Sequence, residues 1–229
     1  SAQNLIRQAG MSHELIEAEG LRTSDAYRLM TDLVAPRPIA WVGTVDGEGR
    51  RNLAPFSYFQ AVCSQPPTLV LSVGWRGDGT AKDTLRNILD TRTFTVSHVS
   101  RPLAESMNAT AAALAADESE WDVVGVKARP STRVQAPWVE DAHAALECSL
   151  RQAIPLGRTR HGTPSSTLLV ATVLLFHVRE GLLRRTESGR LAPMDPSALD
   201  AVGRLGGMTY TETSARFDLA RPIAPEKPR

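Results

Sequence analysis

Cysteine is nearly absent from this chain. There are two, Cys63 and Cys148, with no CxxC pair and no Cys/His spacing suited to zinc. That argues against a disulfide framework and a structural zinc site, and both residues read as reduced, buried thiols. Long apolar runs are missing too. The longest, Leu168 to Val178, is interrupted by Thr172 and His177 and is too short to span a bilayer. Residues 1–10 lack the apolar core of a signal peptide, so the expectation is a cytoplasmic protein with no membrane partner. Neither sign of charge is in excess: Lys+Arg number 26 and Asp+Glu 25, a formal charge of +1. A broad nucleic-acid surface is disfavoured, while a local basic pocket stays open. No internal repeat and no low-complexity block occur. GxGxxG does not follow a first strand, which argues against a Rossmann nucleotide site. No Ser-His-Asp set or carboxylate pair stands out, so no essential acid or base is assigned.

What remains is an ordinary globular composition, 42% hydrophobic and 22% charged over 229 residues, enough for a sizeable core. Met11 to Gly20 reads as a short polar helix. Thr23, Ser24 and Asp25 offer caps for a helix over Ala26 to Asp32. Strands follow: Ile39 to Val45, a turn at Asp46-Gly47-Glu48-Gly49, then Arg51 to Ser57, which together read as a hairpin. Thr68 to Val73, Thr93 to Val99, Ala144 to Ile154 and Ser166 to Arg179 are further strands. Helices are expected at Thr84 to Thr91, Leu103 to Ala116 and Ser197 to Leu205. Many strands with few short helices indicate a mostly-β barrel without βαβα alternation. The division is a helical extension over 1–30, one mostly-β domain over 31–220 and a loose proline-rich tail over 221–229.

Three segments carry chemistry. A helix beginning near Asp83 or Thr84 leaves its first N–H groups unpartnered and adds the positive end of its dipole. Lys82 brings a charge and Thr84 a hydroxyl, a combination suited to phosphate. Taken alone, an Asp83-capped surface helix with a solvated lysine explains the segment better. Arg50 to Phe59 reads as a strand that loses regular pairing at Pro55. Asn52 and Ser57 supply polar groups there, and Phe56 and Phe59 flat apolar surface, a mixture suited to a flavin ring. A kinked strand with two core phenylalanines is the plainer alternative. The strand ending at Ser72-Val73-Gly74 allows close approach to its backbone, or is an ordinary strand end.

In combination, Pro36-Arg37-Pro38-Ile39-Ala40-Trp41-Val42, Asn52-Leu53-Ala54-Pro55-Phe56-Ser57, Pro66-Pro67, Ser72-Val73-Gly74, Lys82-Asp83-Thr84 and Asn87-Ile88 resemble the flavin-reductase-like family that includes flavoredoxin. The likeness runs from about Arg28 to Phe217 and is densest between Pro36 and Val99. It returns at Ala145-Leu146-Glu147-Cys148 and at Arg204-Leu205-Gly206-Gly207 with Tyr210. The resemblance implies a split β-barrel that forms a homodimer and binds FMN near the subunit interface. It implies that Lys82, Asp83 and Thr84 lie at the FMN phosphate. Asn52, Leu53, Ala54, Pro55, Phe56 and Ser57 would line the ring system, with Ser72, Val73 and Gly74 beside it. Arg37 and Tyr210 are further carry-overs.

One departure is visible: the strand that ends in asparagine in that family reads Phe94-Thr95-Val96-Ser97-His98 here. His98 faces the flavin region or is a core histidine, the latter being the preferred reading. The basic stretch Gly157 to Gly162 receives a substrate phosphate or, preferably, is a solvated loop. The functional expectation is an FMN-dependent oxidoreductase with NADH or NADPH as diffusible substrate. Its reduced flavin passes electrons to a small-molecule acceptor or serves a partner monooxygenase. The alternatives are an enzyme that keeps FMN and acts on a specific organic substrate, an electron carrier, and a non-catalytic flavin-binding protein.

Overall fold

The computed structural model describes residues 13–112, 114 and 118–222. In chain order they form helix α1 (Thr23–Leu33), strands β1 (Ala40–Val45), β2 (Arg51–Phe56), β3 (Phe59–Ser64) and β4 (Pro67–Gly74), helix α2 (Asp83–Thr91) and β5 (Thr93–Ser97). A 3-10 turn at Arg101–Leu103 leads into α3 (Ala104–Ala109), followed by α4 (Glu120–Val124), β6 (Ala128–Arg129) and β7 (Trp138–Val139). The long strands β8 (Ala144–Leu156) and β9 (Ser166–Val178) come next, then α5 (Pro196–Leu199), β10 (Val202–Arg204) and β11 (Tyr210–Glu212).

Seven strands make one antiparallel sheet in the order β2-β1-β5-β8-β9-β4-β3. Its two end strands, β2 and β3, are consecutive in sequence and separated only by Ser57 and Tyr58. A flat sheet cannot satisfy both facts, so it curls until its ends approach each other; the β3–β4 ladder reaches back into the connection, where Ser72 N–H donates to Tyr58 O at 2.8 Å. The result is a barrel whose closure is incomplete. Inside lie Ala40, Val42, Leu69, Leu71, Phe94, Val96, Leu150 and Leu169, with Leu85 and Ile88 of α2 packed among them. Trp41, Leu53, Met107, Trp121 and Val139 form a second cluster on the opposite face of β1. Every residue of β1 is therefore buried, which accounts for its unbroken apolar run. Gly43 is required there, because an added Cβ would lie 2.5 Å from Pro137 O and 2.6 Å from Thr95 Oγ1.

Several expectations are corrected. Residues 13–20 carry no helix: Leu15 and Ile16 are exposed, and a short segment without a buried face does not hold a helix in water. Met11 and Ser12 lie outside the described residues. The helix expected over Leu103 to Ala116 ends at Ala109. Trp41 Nε1 donates to Thr110 Oγ1 at 2.9 Å, and that hydroxyl donates to Met107 O at 2.7 Å, fixing Thr110 at the core. Residues 113 and 115–117 lie outside the described set. The helix expected over Ser197 to Leu205 is four residues long and stops at Asp200, which adopts a left-handed conformation (φ 49°). Val202 then donates to Val99 O, and the chain continues as β10. Pairing does not lapse at Pro55, which sits opposite Trp41 with Phe56 opposite Ala40. The Leu53 N–H points away from β1, to Glu120. Two residues on, Pro55 takes the same outward position, where the ladder needs no donor. Cys63 is exposed, because β3 is an edge strand with little cover, whereas Cys148 is buried; both are free. Of the tail, residues 223–229 lie outside the described set. Among the described residues no helix is long and apolar enough to cross a membrane.

Candidate functional site

The segments singled out from the sequence meet at the start of α2. Lys82 precedes this helix in extended conformation, and no side chain caps its N-terminus. The first turn's N–H groups are thus left without intrahelical acceptors. Thr84 is buried, and its hydroxyl accepts a 2.9 Å hydrogen bond from Asn52 Nδ2, which ties the start of α2 to β2. The Lys82 ammonium lies 5.7 Å from the centre of the Phe56 ring. Partial desolvation, with the Arg76 charge second, lowers its pKa. Asp83 does not repel an anion here with a free charge. Its carboxylate accepts from Arg76 at 2.5 Å and also pairs with Arg86. Burial would raise its pKa, but these two arginines hold it below the usual carboxylate range.

Leu53 and Val73 are wholly buried, backbone included. Ala54, Pro55 and Phe56 continue the edge strand β2, and Ser57 Oγ accepts from Arg37 Nε at 3.3 Å. Ser72 Oγ is hydrogen-bonded to Ser166 Oγ, and a Cβ at Gly74 would meet Ser165 O at 4.0 Å, an ordinary contact. Arg37 is a buried clamp: besides Ser57 it donates to Thr31 O, Val34 O and Leu205 O. These bonds occupy most of its guanidinium and hold the end of α1 and the 205 turn against Ser57. Tyr210 accepts from Arg204 and donates to Asn108 Oδ1 at 3.1 Å. Among the described residues no hydrogen bond or ring contact links it to the Lys82 end.

Sequence reasoning gave no role to Arg76 or Glu120, and took Asn87 only as part of the family likeness. Arg76 donates to Ala81 O at 2.5 Å as well as to Asp83, shaping the approach to α2. Glu120 accepts from Leu53 N–H at 3.0 Å, and burial raises its pKa. Asn87 donates to Thr44 Oγ1 at 3.1 Å, while its own buried oxygen has no partner. Nothing local marks such pairings. The Gly74–Gly79 stretch is a closed turn with Gly79 N–H donating to Arg76 O. The basic loop packs on it: His161 Nε2 lies 3.2 Å from Gly77 O. A Cβ at Gly79 (φ +84°) would come 2.9 Å from that of His161. Arg158 and Arg160 remain exposed.

These residues fit FMN. An uncapped helix N-terminus with Lys82 and a buried threonine hydroxyl suits a phosphate. The neighbouring strand edge offers backbone polar groups beside Phe56, as a flavin ring needs. The fold, with this site at its seam, is that of the split-barrel flavin reductases. Residues 33–194 match the Flavin reductase like domain, and the chain belongs to that family. A protein of Deinococcus radiodurans is 41% identical over 217 residues, spanning 92% of this chain and 91% of its own. Nitrilotriacetate monooxygenase component B of Bacillus cereus superposes with a TM-score of 0.83 at 34% identity, over 92% of this chain and all (100%) of its own. The 2-nitrobenzoate 2-nitroreductase NbaA of Pseudomonas fluorescens superposes with a TM-score of 0.78 at 31% identity, over 93% of this chain and 99% of its own.

Proposed function

We propose that this protein is an FMN-dependent oxidoreductase, homodimeric, in which NADH or NADPH arrives as a diffusible substrate and reduces the bound flavin. Reduced flavin then serves a small-molecule acceptor or a partner monooxygenase. One observation carries the reading: the Asn52–Thr84 hydrogen bond joins the phosphate-type helix start to the ring-type strand edge. Lys82, Thr84 and the first N–H groups of α2 would hold the phosphate. Asn52 to Ser57 and Ser72 to Gly74 would line the ring. FMN supplies hydride acceptance and release when bound. The chain's share is to bind and orient it, with Arg37 fixing Ser57 and Arg76 fixing Asp83. The similarity to a monooxygenase component B supports a partner monooxygenase.

The test has two steps. Heat should release a yellow cofactor that chromatography identifies as FMN; haem, pyridoxal phosphate or no affinity for added FMN overturns the reading. Anaerobic stopped-flow mixing with NADH or NADPH should then bleach the flavin at a rate that saturates with nucleotide. A second reading keeps FMN permanently on an enzyme for a specific organic compound, and the similarity to a nitroreductase favours it. Bleaching by dithionite but by neither nucleotide selects that second reading.

A further inference from the structure

Where β1 and β3 begin, β5 ends and β8 begins, the barrel leaves an apolar cavity of about 200 Å³. Ile39, Phe59, Val96, Leu146 and Val202 form most of its wall, and His98 and Ser97 supply its side-chain polar groups. The Ser97 hydroxyl already accepts from Val139 N–H at 3.0 Å. His98 is different. Its backbone N–H donates to Ala144 O at 2.8 Å, but neither ring nitrogen has a hydrogen-bond partner among the described residues; Nδ1 is closed off from solvent and cavity alike, which leaves Nε2 as the ring atom open to a ligand. Its ring stacks on His143, with centroids 6.2 Å apart and planes 14° from parallel. His143 in turn lies 3.0 Å from Leu199 O through its own Nδ1. Burial first, and then His143, hold the His98 pKa below its ordinary value, against a smaller opposing effect of Asp200. At neutral pH the ring is thus uncharged, and Nε2 serves as donor or acceptor according to the tautomer.

A polar ring that the fold places in an apolar wall and leaves unpaired is an exception to the way buried polar groups are satisfied. We propose that this cavity is a binding subsite for an uncharged one-ring organic compound bearing a hydrogen-bonding oxygen, such as a phenol or an aryl carbonyl, with Nε2 of His98 as its polar anchor. Size sets the ring count. An apolar cavity of roughly 150 Å³ holds benzene, so this one takes a single ring with a substituent. The wall sets the charge, because a carboxylate buried here would lose its hydration with no cation to meet it. The subsite adjoins the candidate flavin strip at Ser57: Phe59 lies two residues beyond it, and Pro38 follows the Arg37 that hydrogen-bonds it. A role as the site of an organic electron acceptor rests on the flavin reading, whereas the binding itself does not.

The test is calorimetric titration of the purified full chain with phenol and with benzoate at pH 7, with FMN content measured on the same samples. Phenol should bind saturably at one site per chain, and benzoate should not bind over the same range. His98→Phe should weaken phenol by about 2- to 12-fold, the range for one lost hydrogen bond, and His98→Gln should restore most of that loss. Ala201→Phe, which fills the cavity from its wall, should abolish binding, with thermal melting reporting that the fold persists. Absence of saturable phenol binding overturns the proposal, including the case in which a second copy of the chain fills the cavity. So does benzoate binding as tightly as phenol, or phenol binding that none of the variants changes. Phenol binding without FMN overturns only the flavin reading; full FMN without phenol binding overturns only this one.

Discussion

Lys82 is the residue at which the flavin reading is most directly exposed to experiment. It precedes an uncapped helix, leans toward Phe56 and carries a charge that no carboxylate in the site neutralises, since Asp83 is taken by Arg76 and Arg86. A charge-assisted contact to phosphate is worth about 1.5–3 kcal/mol. Lys82→Ala should therefore weaken FMN by roughly 10- to 150-fold, read by fluorescence titration. Riboflavin lacks the phosphate and should be affected far less. Equal losses for both ligands mean that Lys82 acts on the ring or the fold. At this scale the sequence shows which residue types are present, but not whom they meet. Asn52, Lys82 and Thr84 are legible as candidates because each follows a local signal: a strand edge or a helix start. The bond of Arg37 to Leu205 O spans 168 positions, and that of Glu120 to Leu53 spans 67. Periodicity carries no trace of such pairs. Arg37 reads from the sequence as a ligand contact, with no sign of the carbonyls of Thr31, Val34 and Leu205 that its guanidinium also holds.

The elements divide by how strongly they bury a face. Strands β1, β4, β8 and β9 are readable because their alternation or continuous apolarity is long. β3 escapes notice because nearly all of it is exposed and its sequence has no two-residue period. α3 and α5 are shorter than expected because core contacts at Thr110 and the left-handed Asp200 stop them, and both are tertiary effects. The element-level feature with the sharpest consequence is the staple between β8, β9 and the turn before β7. Glu147 of β8 is fully buried and accepts from Thr132 N–H at 2.8 Å, Arg133 N–H at 2.5 Å and Val134 N–H at 3.1 Å. His177 of β9 lies 2.5 Å from the same carboxylate and stacks on Trp138. In Glu147→Gln the amide can turn either way: its nitrogen in the Oε1 position strands the Thr132 N–H, and in the Oε2 position the Arg133 and Val134 N–H groups. The milder arrangement still leaves one donor unmet at about 1–3 kcal/mol, so urea unfolding should register a loss of at least about 1 kcal/mol. Burial by itself would raise the Glu147 pKa, but the Thr132 N–H, His177 and the Arg133 N–H leave it below its ordinary value. A depressed folded-state pKa gives stability that is present above the unfolded carboxylate range, near pH 4.3. That stability is lost as pH falls through the folded value. The gap between wild type and Glu147→Gln should therefore be full at neutral pH and shrink below about pH 4. A gap that persists unchanged into acid assigns the staple to packing instead of charge.

For the whole molecule, the open question is what covers the outside of the barrel. β9 turns Leu169, Ala171 and Val173 into the core and leaves Leu168, Val170 and Thr172 half-buried, with Leu174 exposed. Residues directly opposite one another in an antiparallel pair share a face. Val70 of β4 stands opposite Val170, Ser72 opposite Leu168, and Ile154 of β8 opposite Leu168. The outer sheet thus presents a contiguous apolar strip, Val70, Ile154, Leu168 and Val170, that runs to Ser72 at the edge of the candidate flavin site. A strip of this kind suits a protein interface, and a self-complementary patch would give a twofold dimer. The sequence alone supports the dimer only through family resemblance, since which alternate residues face outward depends on register. Because the strip and Ser72 lie on one face, dimer and cofactor site should fail together. Val170→Glu places a charge in the middle of the strip yet remains accessible to water in the monomer, so the fold should survive. Light scattering should find the wild type as a dimer and Val170→Glu as a monomer, with FMN bound more weakly in the variant. A wild-type monomer that holds FMN fully contradicts the dimer. A monomeric variant with undiminished FMN affinity keeps the dimer but removes its part in the flavin site.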